Sequence, residues 1–316
     1  MTLTETELAL RVDDEPRPVV AEVDGIPISG LLAPARSPRG VVVALHGGAT
    51  TSAYFDCPGH PDLSLLRLAS AAGFTALALD RPGYGASYPY GDDLADPQRR
   101  VDLMYGAIDR HLDGLPRGAG VFLIAHSAGC ETGARMAADP ERGPGLLGLE
   151  LCGTGRQQQP LAEQILSVRP RPDNAKVAEL LWQPERLYPP EHVGGRLVGA
   201  NGPRFEGPVV IDWPGTNFPL VGPRIRIPVQ FTVADHERVW RNDIPGLLEV
   251  AELFGAAPRL VLNVQRGSAH NISVGRTATA YHLKVLSFAQ ECIVTREIGE
   301  STGPAIQFDG IAAPER

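Results

Sequence analysis

The strongest constraint on this chain is a series of short, unbroken apolar segments, each closed by a turn residue and most followed by a stretch of helical periodicity. Gly40–Leu45, Phe74–Leu79, Val121–Ala125, Leu146–Leu151, Ile227–Val233 and Arg259–Val264 are five to seven residues long. Strands that are apolar at nearly every position are buried on both faces, as in a parallel sheet covered by helices. Asp62–Ala72, Leu94–Leu112, Ala128–Ala138, Ile244–Phe254 and Arg276–Glu291 carry the intervening helical patterns. Such alternation predicts an α/β fold with a mostly parallel, doubly wound sheet of about eight strands. Pro18–Val23 and Ile28–Leu32, separated by Gly25-Ile26-Pro27, predict a β-hairpin and so an antiparallel start to that sheet.

One segment breaks the rhythm. Thr154–Arg224 separates two strands and is far longer than an ordinary crossover. It holds 11 of the 29 prolines and five bulky aromatics, Trp182, Tyr188, Phe205, Trp213 and Phe218. Leu161–Val168 and Asn174–Gln183 are short helical patterns within it. The predicted organisation is a core built from residues 1–153 and 225–295, a Pro-rich cap or lid insertion over 154–224, and a C-terminal tail over 296–316. Ile298–Arg316 is polar and reads as loose.

Charge and composition exclude several function classes. The formal net charge is −8, and no cluster of Lys or Arg forms the basic stripe a nucleic-acid binder needs. Met1–Val12 lacks a basic leader and an apolar core, and no apolar run approaches the roughly 18 residues of a membrane span. A cytoplasmic protein with reduced thiols and no membrane partner is expected. Cys57, Cys130, Cys152 and Cys292 form no CxxC pair, and Cys57-Pro-Gly-His60 supplies two potential ligands without the rest of a zinc site. No metal and no cofactor are expected. Gly83-Tyr84-Gly85 lacks the third glycine and the helix register of a dinucleotide loop.

The stretch Val121-Phe122-Leu123-Ile124-Ala125-His126-Ser127-Ala128-Gly129 carries the most chemistry. An apolar strand runs into a Ser flanked by small residues and then into a helix, the context of a nucleophile elbow. Small neighbours are needed because the turn is sharp and strained. The hydroxyl then stands at a helix N-terminus, which favours negative charge, and the Ala128 N–H can donate to an oxyanion. Ala125 replaces the first Gly of the G-x-S-x-G pattern.

Here the chain resembles the α/β-hydrolase family over roughly residues 20–290. The resemblance rests on Leu45-His46-Gly47-Gly48, on Asp80-Arg81-Pro82-Gly83-Tyr84-Gly85-Ala86-Ser87, on the Ala125–Gly129 elbow and on Gly267-Ser268-Ala269-His270-Asn271. It implies the chain order Ser, acid, His. His192, His236, His270 and His282 follow Ser127, and His270, in a Gly/Ser/Asn-rich loop after a strand, is the candidate base. Asp235 directly follows the strand Val229–Ala234, where the resemblance puts the acid. Glu150, within an otherwise apolar strand, is its competitor, and Glu237 is a further one. The resemblance also makes the Gly48 N–H the second oxyanion donor beside Ala128. His46 reads as support for that loop, and His46, Trp182, Tyr188 and Trp213 are candidate substrate-lining residues.

The expectation is a serine hydrolase acting on a small-molecule carboxylic ester or thioester through an acyl-enzyme, with a homodimer as a candidate assembly. An acyltransferase or cyclising thioesterase would use the same residues. A lyase or a ligand-binding relative would not use the nucleophile. Serine at the elbow argues against the carboxylate nucleophile of haloalkane dehalogenases and epoxide hydrolases.

Overall fold

The computed structural model describes residues 15–168 and 173–299, together with the backbone of 306–309. The sequence readings on Met1–Val12 and on most of the tail beyond Gly299 lie outside those residues. The elements run β1 (Arg17–Val23), β2 (Ile26–Ala33), β3 (Val41–Leu45), α1 (Leu65–Ala71), β4 (Thr75–Leu79), α2 (Pro97–His111), β5 (Val121–His126), α3 (Gly129–Ala137) and β6 (Gly148–Cys152). Between β6 and the next strand come α4 (Pro160–Leu166), α5 (Asn174–Trp182), α6 (Glu206–Asp212) and α7 (Phe218–Val221). The chain then returns through β7 (Val229–Ala234), α8 (Ile244–Ala251), β8 (Leu260–Gln265), α9 (Ala278–Ile298) and β9 (Ile306–Asp309).

These strands form one sheet in the order β1-β2-β4-β3-β5-β6-β7-β8-β9. The β1–β2 and β2–β4 pairs are antiparallel and the remainder parallel, matching the expected antiparallel start. The hairpin turn differs from the reading at Gly25-Ile26-Pro27. Val23 pairs directly with Ile26, leaving a two-residue loop, Asp24-Gly25. Both loop residues have positive φ, 48° and 76°, the backbone that matches the twist of a tight hairpin. The tail also differs. Residues 296–298 continue α9, and 306–309 add a ninth, parallel edge strand beside β8.

Period-two geometry explains why the core strands are apolar throughout. Along β3, Val41, Val43 and Leu45 face one cluster while Val42 and Ala44 face the other. The first cluster takes in Val101, Met104 and Ile108 of α2, Ala134 of α3, and Leu247 and Val250 of α8. The second takes in Leu65, Leu66 and Leu68 of α1, and Tyr281, Val285 and Phe288 of α9. The helices begin where side-chain caps allow. Asp96 accepts from the Gln98 and Arg99 N–H groups with Pro97 next, so α2 starts three residues after the expected Leu94.

The inserted segment is fastened to both faces of the sheet. Trp213 and Phe218 stack at 4.7 Å and join the first cluster, while Trp182 and Tyr188 join the second. Among the described residues, no helix is long and apolar enough to cross a membrane.

Candidate active site

Three strand ends bring the site together. Ser127 lies between β5 and α3 with φ at +51°, a conformation that costs an L-residue energy and needs its surroundings to hold it. Its N–H donates to the Cys152 carbonyl at 2.8 Å and its carbonyl accepts from the Cys130 N–H at 2.9 Å. Close packing of α3 on β3 completes the elbow. A Cβ on Gly129 would stand 2.5 Å from the His46 carbonyl oxygen and 2.7 Å from that of Leu45, so the contact is with backbone that cannot rotate away. Gly129→Ala is therefore expected to lift α3 off β3, lowering stability by about 1–3 kcal/mol. Urea unfolding checks it, and an unchanged stability would contradict the packing argument.

The Ser127 hydroxyl oxygen is 3.0 Å from His270 Nε2. His270 sits in the loop after β8 and is buried. Its Nδ1 lies 3.0 Å and 3.1 Å from the two carboxylate oxygens of Glu237. Glu237, also buried, accepts the Arg238 and Val239 N–H groups at 3.0 and 2.8 Å. Burial pushes the Glu237 carboxyl upward, but His270 and the two amides outweigh it and hold it below the usual carboxylate range.

Asp235, the expected acid, does not face His270. Its carboxylate accepts the Gly267 and Ser268 N–H groups, both at 3.0 Å, and lies 2.8 Å from His236 Nδ1. It ties the turn at the end of β7 to the turn that leads into His270. Burial raises its pKa, but the Ser268 amide, His236 and the Gly267 amide bring it below the usual aspartate value. The sequence signal for Glu237 was only its presence two residues further along the same loop. Which residue turns toward the imidazole depends on the path of that loop, and the extra methylene of Glu lengthens its reach.

Glu150 lies elsewhere. It is fully buried on β6, where the Tyr281 hydroxyl donates to it at 3.1 Å, and burial pushes its pKa up to about 8. It is a neutral carboxylic acid in the sheet interior at pH 7, not an ionised partner for a histidine.

The loop after β3 supplies the other wall. His46 Nε2 accepts the Arg81 N–H at 3.1 Å, and its Nδ1 donates to the Gly47 carbonyl at 2.7 Å. Burial and the neighbouring Arg81 guanidinium lower its pKa to about 4, so it is a neutral loop support. His126 stacks on Tyr54 at 4.7 Å and donates from Nε2 to the His270 carbonyl at 2.9 Å. Sequence reasoning missed this histidine, although it adjoins Ser127; only its position across from the His270 loop reveals that it holds that loop.

Trp182, Tyr188 and Trp213 are all buried. Tyr188 accepts the Asn271 N–H at 3.2 Å, which fixes the residue after His270, and Trp213 donates to Thr154 Oγ at 3.0 Å. These aromatics pack the insertion onto the core around the site. Cys57 and His60 do likewise: Cys57 Sγ is 3.5 Å from His192 Nε2, and His60 Nε2 is 2.6 Å from Glu191. Among the described residues, no group of three or more His, Cys, Asp or Glu side chains is arranged to hold a metal ion.

Comparison with known proteins agrees with this architecture. A carboxyl esterase from Bacillus coagulans superposes with a TM-score of 0.61 at 20% identity, covering 89% of this chain and 99% of that one. A membrane phospholipase A described as a bacterial virulence factor gives 0.65 at 17% identity, covering 87% of each chain. Protein ABHD14A of Danio rerio is 39% identical over 92 residues, which is 29% of this chain and 30% of that relative. The match thus spans under a third of that relative's length. The model of the Alpha/beta hydrolase family matches residues 42–279. With that match over most of its length, and with the sheet order and strand-end geometry described above, the chain belongs to the alpha/beta hydrolase family.

Proposed function

We propose that the protein is a serine hydrolase that cleaves a carboxylic ester or thioester of a small molecule through an acyl-enzyme. Ser127 is the nucleophile, His270 the general base and Glu237 the acid that orients it. The observation that carries this reading is the unbroken line from the Ser127 hydroxyl through His270 to Glu237, with both contacts at 3.0 Å. His270 Nε2 takes the Ser127 proton as the oxygen attacks the carbonyl carbon. The imidazolium so formed lies beside a buried carboxylate whose pKa His270 and two backbone amides hold down. The Gly48 and Ala128 N–H groups receive the developing oxyanion, each such donor contributing about 3–4 kcal/mol in comparable sites. His270 returns its proton to the leaving oxygen or sulfur, then activates water to release the acid and free Ser127. Solved structures of like fold include a carboxyl esterase and a thioesterase domain from the curacin biosynthetic pathway, which is consistent with acyl chemistry.

Ser127→Ala is expected to lower turnover of p-nitrophenyl acetate by about 10⁵–10⁶-fold and to abolish labelling by a fluorophosphonate probe. A variant that retains turnover, or a native protein that is not labelled at Ser127, rules out the nucleophile.

A further inference from the structure

A buried charge pair lies over the proposed oxyanion loop, and the hydrolytic steps make no use of it. Arg81, just after β4, is 4% exposed. One of its terminal nitrogens donates both to the Gly47 carbonyl, at 2.9 Å, and to a carboxylate oxygen of Glu206. Glu206 opens α6 in the inserted segment. Its second oxygen accepts from the Tyr84 hydroxyl, whose own oxygen accepts the Ala49 N–H at 2.9 Å. The carboxylate is close to the reacting end of the site: a Cβ on Gly48 would be 2.9 Å from that second oxygen and 3.6 Å from the Ala128 Cβ.

The two partners are held very differently. Arg81 is fixed by the core, through the Gly47 carbonyl and through its own N–H on His46. Glu206 arrives on a short helix that has no fully buried residue. A buried guanidinium requires an anion at its side, because an unpaired charge in that setting is strongly disfavoured. Glu206 can therefore leave only when another anion takes its seat. A cationic ligand is not favoured there, since both Glu206 oxygens are already engaged by donors.

We propose that Arg81 is a recognition residue for an anionic substrate. A carboxylate only a few bonds from the scissile carbonyl, as in a short dicarboxylic half-ester, takes the seat beside Gly48 that Glu206 fills in its absence. The proposal rests on the serine-hydrolase reading above, and a neutral ester of equal length is then the poorer substrate.

The test compares mono-p-nitrophenyl succinate with p-nitrophenyl butyrate, spontaneous rates subtracted, in the native protein and in Glu206→Ala. Fluorophosphonate labelling of Ser127 is read in the same preparations. The native protein is expected to favour the succinate half-ester by at least tenfold in kcat/KM. Glu206→Ala is expected to widen that ratio at least a further fivefold, since the internal competitor is gone. A labelled native protein without the preference, or a ratio that Glu206→Ala leaves unchanged or narrowed, overturns the role of Arg81 while leaving the nucleophile standing. Absence of both labelling and turnover overturns the serine-hydrolase reading and this proposal with it. If Glu206→Ala does not fold, the native ratio alone decides.

Discussion

Glu237→Gln is expected to lower kcat/KM for an ester substrate by about 10³–10⁴-fold, whereas Asp235→Asn lowers it by less than tenfold. The contrast follows from where the two carboxylates point. Glu237 receives His270 Nδ1, and an amide in its place removes the charge that stabilises the imidazolium and disturbs the tautomer that leaves Nε2 free to accept the Ser127 proton. Asp235 instead receives the Gly267 and Ser268 amides and His236. Losing its charge loosens that loop and costs about 1–2 kcal/mol of stability. Initial rates with p-nitrophenyl esters, together with thermal unfolding of both variants, check the pair. A large rate loss in Asp235→Asn with little in Glu237→Gln would reverse the assignment.

Glu150→Gln is expected to be more stable than the native protein at pH 9 by roughly 3–5 kcal/mol relative to their difference at pH 5. In the unfolded chain this carboxyl titrates near the ordinary glutamate value of 4.5, and burial in the folded protein pushes it up to about 8. Below pH 4.5 both states carry the proton and burial exacts no penalty. Between 4.5 and 8 the unfolded chain has released a proton that the folded protein keeps, so stability declines as pH rises, by up to about 1.4 kcal/mol per unit. Above 8 the loss is complete. A glutamine keeps the oxygen that accepts from Tyr281 and has no charge to bury. His46, His126 and His282, whose pKa values burial lowers, tilt the absolute curve the other way below pH 6.5. They are common to both proteins and drop out of the difference. Urea titrations at pH 5, 7 and 9 measure it, and a difference that does not move with pH would refute the buried neutral acid.

The fold and half of the candidate site were evident from local pattern because local pattern causes them. Val41–Leu45 is apolar at every position because alternate residues enter opposite layers, so its continuity already implies a sheet covered on both sides. Ser127 announces itself because the sharp turn tolerates only small neighbours, and its φ of +51° is the strain that the pattern predicts. His270 stood out once the chain order implied by the family resemblance limited the choice to histidines after Ser127, because of its loop composition and its place after a strand. All three depend on residues adjacent in sequence.

The remainder depends on distance across the fold. The acid facing His270 is set by how the loop after β7 crosses to the loop after β8, 33 residues later. One turn of backbone exchanges Asp235 for Glu237, and neither composition nor spacing records that path. Glu150 looked like a rival acid on its strand, yet only full enclosure by the sheet and α9 makes it a neutral group. The pairing of Arg81 with Glu206 spans 125 residues and joins the core to the inserted segment. By itself, the sequence determined the strands and singled out Ser127 and His270 as candidates, since each arises from steric and burial rules that act over a few residues. Only the tertiary structure decided which carboxylates are ionised and whom they face, because desolvation and Coulomb forces act through space and take no account of chain order.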